Sequence, residues 1–133
     1  MPVEYLKPHG LHDNPAFTQA LVIPPGARLV VIGGQNGVDA NGQIVAPGDL
    51  GLQTARALGN LQLCLAAAGA KIEDLVKITI FIAGDLDIIP GFQAWMNFAG
   101  QPQNPPAVSV IKVLALGRPG IVVEIEGLAV LPG

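Results

Sequence analysis

Two glutamates near the C-terminal end are the side chains best placed to do chemistry. They interrupt the apolar run from Ile121 to Val130, which follows a Gly-Arg-Pro-Gly turn. Successive side chains of a strand point to opposite faces, so Glu124 and Glu126 share one face, roughly 6 to 7 Å apart. Val122 and Leu128 have the same parity and predict partial burial, which is costly for a carboxylate that lacks a partner. The pair is therefore either a functional site or a solvent-facing feature of a sheet edge.

Other motifs give weaker signals. Gly33, Gly34 and Gln35 follow an apolar run and could present N–H groups to an anion, but the G-x-G-x-x-G spacing is absent and a plain turn is the alternative. His9 and His12 lie three residues apart without a second ligand pair at metal spacing. H-E-x-x-H, C-x-x-C and G-x-S-x-G motifs are also absent from the sequence. We therefore expect no metal and no cofactor.

Composition predicts one domain, residues 1–133, that associates with copies of itself. Half of the 133 residues are hydrophobic and only 13% are charged, a low charge density for a small monomer, so another subunit is expected to cover apolar surface. Seven basic and ten acidic residues give a sequence pI near 5.1. This balance provides no basic surface for nucleic acid or for anionic membranes, and neither is expected as a partner.

The cysteine count and the first residues predict a cytoplasmic location. Cys64 is the only cysteine, so no intramolecular disulfide can form, and a free thiol fits a reducing compartment. The first residues lack the apolar stretch behind a basic start that marks a signal peptide, and no uninterrupted apolar run reaches 18 residues.

The pattern of hydrophobic residues predicts an α+β sheet. Phe17–Ile23 and Arg28–Ile32 flank a Pro-Pro-Gly turn and predict a hairpin, and a short strand is possible at 43–45. A helix is predicted from an Asp49 cap to about Ala68, a strand over 75–83, and a second helix from Pro90 through Phe98. Two C-terminal strands follow. This order places both helices on one face of a single sheet and leaves the other face for a second subunit.

Several segments jointly resemble the RidA/YjgF family. They are Gly33-Gly34-Gln35 after a strand, the helix end Ala67-Ala68-Gly69-Ala70 followed by Ile72-Glu73-Asp74-Leu75-Val76-Lys77, Pro106-Ala107-x-Ser109-x-x-x-Val113, and Glu124-Ile125-Glu126-Gly127-Leu128-Ala129-Val130. The resemblance runs in register from about Asn14 to Leu131, with one extra residue in the turn at 117–120. It implies a chorismate-mutase-like fold, with a mixed β-sheet and two helices on one face, that forms a homotrimer with sites in the clefts between subunits.

The resemblance also implies roles for individual residues. In typical members, which are enamine/imine deaminases, an arginine after the Pro-Ala pair binds the substrate carboxylate, while a tyrosine on the first strand and a glutamate on the last position the water. The glutamate corresponds to Glu124, which we expect to be catalytic. Gly34 and Gln35 correspond to one wall of the cleft and Ser109 to another.

Two positions depart from the family pattern. Val108 stands where the arginine is expected, and Phe17 stands where the tyrosine is expected. A planar guanidinium fits a carboxylate with two hydrogen bonds, so its loss predicts poor binding of 2-imino acids. The remaining pocket suits a neutral or cationic small molecule. Whether Lys112 or Arg118 replaces the missing charge is left open by the sequence.

Three functional hypotheses follow. The leading one is hydrolysis (deamination) or tautomerisation of a small imine, enamine or carbonyl compound, with Glu124 directing water or a proton. The alternative is a regulatory or metabolite-binding trimer without catalysis, which the missing arginine and tyrosine favour. The third is an endoribonuclease, an activity by which relatives are often labelled. The acidic balance and the lack of a catalytic His or Lys pair argue against it.

Overall fold

A mixed β-sheet with helices on one side forms the body of the protein. The computed structural model describes residues 2–131 and has the α+β fold that the sequence predicted. In chain order the elements are β1 (Glu4–Leu6), β2 (Ala20–Val22), β3 (Leu29–Asn36), α1 (Leu50–Ala67), a 3-10 helix (Ile72–Asp74), β4 (Leu75–Ala83), α2 (Ile89–Ala99), β5 (Ala107–Val113) and β6 (Val123–Val130).

Four of these strands form the main sheet, in the order β3-β6-β4-β5. Strands β4 and β5 run parallel, and β6 is antiparallel to both of its neighbours. A parallel pair needs a crossover connection, and α2 lies in the segment that supplies it. β1 and β2 form a separate antiparallel pair. Strand β6 therefore has ladder partners along both of its edges.

The predicted hairpin around the Pro-Pro-Gly turn is wrong. β2 pairs with β1, where Tyr5 lies opposite Leu21, and β3 pairs with β6, where Val31 lies opposite Leu128. Residues 17–19, which were predicted to start the strand, lie outside β2. Pro24 and Pro25 lack the N–H groups that would continue a ladder, and β3 instead buries Ile32 in the core beside β6. The burial of apolar side chains against β6, which is distant in sequence, thus decided which strand pairs with β3.

The possible strand at 43–45 is reduced to a single bridge between Val38 and Ile44. The Asp39 carboxylate accepts hydrogen bonds from the backbone N–H groups of Asn41 and Gln43, both at 2.9 Å. These bonds hold the segment in a turn, because an Asp side chain can satisfy the N–H groups two and four residues further on.

Both helices begin and end close to their predicted positions. The Asp49 carboxylate caps α1 by accepting from the N–H of Leu52 at 2.9 Å, and Gly69 follows the helix with φ of 77°. Pro90 lies in the first turn of α2, where a missing N–H costs nothing. The leucine stripe of α1 is buried, as its spacing predicted.

Both helices lie on one face of the main sheet, and this face holds the core. The inward side chains of β4 and β6 belong to the same buried cluster as the leucine stripe of α1 and Trp95 of α2. On the opposite face the strands carry polar and charged side chains together with exposed apolar ones, among them Val31, which is 77% exposed, and Ile111. No helix within residues 2–131 is both long enough and apolar enough to cross a membrane. Cys64 is a half-buried free thiol.

A fully buried glutamine ties α1 to the start of β6. The Gln53 amide nitrogen donates to the carbonyls of Ala46 at 3.1 Å and Gly120 at 2.6 Å. Its amide oxygen accepts from the N–H of Val122 at 2.9 Å. Gly37 packs so closely on this side chain that an added Cβ would lie 2.7 Å from its Cγ. The glutamine therefore fixes the chain two residues before Glu124.

Replacing Gln53 by Ala is expected to lower the free energy of unfolding by about 3 kcal/mol, because it leaves buried backbone groups without partners. Urea denaturation of the purified protein measures this value. The control is Gln62→Ala, an exposed position of the same helix, which should change stability by only a few tenths of a kcal/mol. A loss below about 1 kcal/mol for Gln53→Ala would contradict the role assigned to its hydrogen bonds.

Candidate functional site

The two glutamates lie together on the open face of the sheet, the face not covered by helices. Glu124 lies opposite Phe81 of β4 and Asn36 of β3, and Glu126 lies opposite Thr79 of β4. Glu124 is half-buried, whereas Glu126 is exposed. The solvent-facing alternative thus holds for Glu126. Neither of the two ion pairs within residues 2–131 involves Glu124.

A bulge in β3 makes room for the Glu124 carboxylate. The pairing of β3 with β6 shifts register between Ile32 and Gln35, so Gly33 and Gly34 lie at the irregularity. A Cβ on Gly34 would lie 2.5 Å from Oε2 of Glu124 and 2.6 Å from its Cδ. The carboxylate therefore occupies the space that any larger residue at position 34 would need. The neighbouring Gln35 amide donates to the carbonyl of Gly33 at 3.2 Å.

Ser109 also belongs to the open face, and it has a cationic partner that the sequence analysis missed. It lies opposite Thr79, and its hydroxyl oxygen accepts a hydrogen bond from Nζ of Lys77 at 2.7 Å. Lys77 and Thr79 alternate with the inward-facing isoleucines of β4. A lysine at an alternating position in an apolar strand was the available signal, because it must leave the core face.

Phe17 and Val108 lie on the opposite, helix-covered side of the sheet. Val108 pairs with Ile78, an inward residue of β4, and precedes Ser109, which points to the other face. Phe17 is brought to Val108 by Thr18, whose N–H donates to the carbonyl of Pro106 at 3.1 Å. The Thr18 hydroxyl donates to the carbonyl of Pro105 at 2.5 Å. Phe17 and Val108 line an apolar pocket of about 240 Å³.

The predicted site residues thus form two groups within one chain. Gly34, Ser109 and Glu124 belong to the open face, whereas Gln35, at the bulge, lies opposite the inward residue Ile125. Phe17 and Val108 belong to the pocket on the other side. The sheet lies between the two groups, so one chain does not bring them into a single site.

Lys112 and Arg118, the two candidates to replace the missing arginine, each bond to another group. Lys112 forms an ion pair with Asp85 at 2.6 Å, and this hydrogen bond and charge lower the pKa of the Asp85 carboxyl. The Arg118 guanidinium donates to the carbonyl of Gly42 at 2.9 Å. Neither residue lines the pocket beside Val108.

The part of the chain described by the structure holds no cluster of three His, Cys, Asp or Glu side chains that could bind a metal ion. His9 and His12 line a wide pocket formed by the N-terminal segment, and the His12 ring packs edge-on against Phe17 at 5.9 Å. Tyr5 lines the same pocket, and burial, followed by the nearby Asp74 charge, raises the pKa of its hydroxyl.

The fold and the site together define a small α+β protein with a carboxylate on an uncovered sheet face. The family model described as Endoribonuclease L-PSP matches residues 13–131. A 2-iminobutanoate/2-iminopropanoate deaminase of Rattus norvegicus is 32% identical over 116 residues, which cover 86% of this chain and 80% of the relative. The Mus musculus protein of the same name is 35% identical over 115 residues, covering 86% and 80%.

A solved structure agrees over nearly the whole chain. A protein of unknown function from Yersinia pestis, YyfB of the conserved Rid protein family, matches with a TM-score of 0.85 at 30% identity. The match covers 98% of this chain and 100% of that protein. The chain belongs to the RidA/YjgF family, as the resemblance of its segments indicated.

Replacing Gly34 by Ala is expected to displace the Glu124 carboxylate with little loss of stability, because a flexible side chain can yield where a backbone could not. A crystal structure of the variant measures the displacement. Gly33→Ala is the matched control, since a Cβ there meets nothing within 4 Å. An unmoved carboxylate in Gly34→Ala would contradict the assigned packing.

Proposed function

We propose that this protein acts on a small molecule in clefts between the subunits of a homotrimer. The support is the division of the site residues into two groups on opposite sides of the sheet, which can face one another only when two copies meet. The open face also carries the strongly exposed Val31, which a neighbouring subunit would cover. The number of subunits rests on the family resemblance.

The reaction that fits best is hydrolysis or tautomerisation of a small imine, enamine or carbonyl compound. In hydrolysis, Glu124 accepts a proton from water as the oxygen attacks the C=N carbon. It returns that proton to nitrogen, which gives a carbinolamine. Glu124 then takes the proton of the new hydroxyl and passes it to nitrogen as the C–N bond breaks, so that a carbonyl compound and ammonia or an amine leave. The half-buried Glu124 carboxylate, seated over Gly34, is the observation that carries this proposal. Relatives named 2-iminobutanoate/2-iminopropanoate deaminase support the reaction class.

The substrate is proposed to be uncharged or cationic. Val108 and Phe17 form an apolar wall, and Lys112 and Arg118 are bonded elsewhere. A substrate carboxylate beside this wall would lose its hydration without gaining a guanidinium, which costs several kcal/mol. This apolar wall therefore predicts low deaminase activity on 2-imino acids, which carry a carboxylate.

Replacing Glu124 by Gln is expected to lower kcat/KM about 10²- to 10⁴-fold, because the amide cannot accept the proton of the attacking water. The assay follows an uncharged aromatic imine, whose near-ultraviolet absorbance falls on hydrolysis. Glu126→Gln is the control on the same strand and face, and it should turn over at close to the native rate. The oligomer is checked by light scattering. An unchanged kcat/KM in Glu124→Gln would contradict the role of Glu124 as the proton acceptor.

Replacing Val108 by Arg is expected to raise kcat/KM for 2-iminopropanoate about tenfold or more over a low native value, because charge-assisted bonds to the carboxylate become available. Ammonia release from the freshly generated imino acid provides the measurement. Val108→Gln is the control: it adds a hydrogen-bonding amide without the charge and should show no gain. High native activity on this substrate would contradict the importance given to Val108.

A metabolite-binding trimer without catalysis is the second candidate, favoured by the same apolar wall. Saturable binding of a small metabolite without formation of product would favour this candidate over the proposed reaction. RNA is not proposed as a substrate, because the formal net charge of −3 offers little attraction to a phosphate backbone.

A further inference from the structure

Two Asn-Gly pairs lie close together in the chain between the end of β3 and the start of α1. Asn36-Gly37 begins with the last residue of β3, and Asn41-Gly42 lies in the turn that follows. An asparagine before a glycine is chemically labile, because a glycine nitrogen without a neighbouring Cβ reaches the asparagine side-chain carbonyl with little hindrance. The two pairs have the same sequence, so their surroundings decide which of them can react.

The first pair is held on both sides by the main sheet and by α1. Asn36 lies opposite Glu124 in the ladder, and its carbonyl accepts a hydrogen bond from the Asn60 amide at 3.1 Å. Gly37 is buried, and an added Cβ there would lie 2.7 Å from the Cγ of Gln53. A ring closure at Asn36 would therefore require the end of β3 to separate from β6, which is a costly opening of the core.

The second pair lies in an exposed turn that depends on Asp39. The Asp39 carboxylate accepts from the N–H groups of Asn41 and Gln43, both at 2.9 Å. The Asp39 carbonyl accepts from the N–H of Gly42 at 3.0 Å. Residues 40–43 are all exposed, so this turn can open without uncovering the core. Local openings of this kind cost much less than separation of a core strand.

We propose that Asn41 is a site of spontaneous deamidation whose rate is controlled by Asp39. The Gly42 nitrogen attacks Cγ of Asn41, the bond from Cγ to the side-chain nitrogen breaks, and ammonia leaves with the proton of the Gly42 N–H. Water then opens the resulting succinimide ring. Attack at Cγ gives aspartate, and attack at the main-chain carbonyl gives isoaspartate, whose main chain runs through the former side chain. Water is the only co-reactant.

Either product changes the turn. A new carboxylate appears two residues from Asp39, and like charges at this separation repel one another. Isoaspartate also adds one carbon atom to the main chain, which displaces Gln43 from Asp39 and loosens the bridge between Val38 and Ile44. The connection between β3 and α1 is thus expected to weaken as the protein ages. This modification does not depend on the proposed reaction.

Mass spectrometry of the native protein during prolonged incubation at mildly alkaline pH provides the first test. Deamidation raises the mass by about 1 Da, and peptide mapping is expected to place the change at Asn41. A protein-isoaspartate methyltransferase with a labelled methyl donor should label the aged protein at the same residue. Asn41→Gln is the control, because its longer side chain closes a ring much more slowly, and it should show neither the mass gain nor the label.

A second variant tests the control by Asp39. Asp39→Ala removes two hydrogen bonds from the turn and should speed the mass gain about tenfold, with an unchanged circular dichroism spectrum. Asp87→Ala removes a similar bond to the N–H of Ile89 and should leave the rate unchanged. The proposal is overturned if the native protein gains no mass, if the change maps to Asn36, or if Asp39→Ala reacts no faster than the native protein.

Discussion

The side-chain alternation of β6, fixed between two partner strands, is the constraint on which both faces of the sheet depend. Residues of one parity, including Val123 and Ile125, are fully buried beneath α1. Those of the other parity include Glu124 and Glu126. A slip of one residue would exchange the two sets and place carboxylates in the core, at a cost well above the marginal stability of a small domain. Burial of the apolar set therefore places the acids on the open face without any attraction between the acids and their surroundings.

Local packing then sets the position of Glu124 more finely than the strand register does. Gln53 anchors the chain at Gly120 and Val122, which fixes where β6 begins. The bulge in β3 brings Gly34 under the carboxylate, where the missing side chain leaves room for it. Both devices act through shape and through backbone hydrogen bonds. A family member can consequently keep this carboxylate in place while the residues of the opposite wall change.

The departures from the family pattern at Val108 and Phe17 leave the fold of the family unchanged. Val108 and Phe17 make that wall apolar, and it continues inward to the buried residue Thr54. The open face remains polar through Ser109 and its bond to Lys77. In the proposed reaction, one side of this sheet supplies the proton-transfer group and the other side contacts the hydrocarbon part of the substrate. This division is consistent with a substrate that carries no carboxylate.

Local sequence patterns determined the elements whose signals are short in range. The cap of α1, the branched run of β4 and the shared face of Glu124 and Glu126 each follow from residues within one segment, because capping and alternation are local properties. Strand partners depended on the tertiary structure: β2 joined β1, and β3 joined β6, since burial of distant apolar faces selects the pairing. The same distinction applies to the site. The sequence identified its residue types, but only the folded chain decided that Val108 and Glu124 lie on opposite sides of the sheet, because a face is defined by what packs against it.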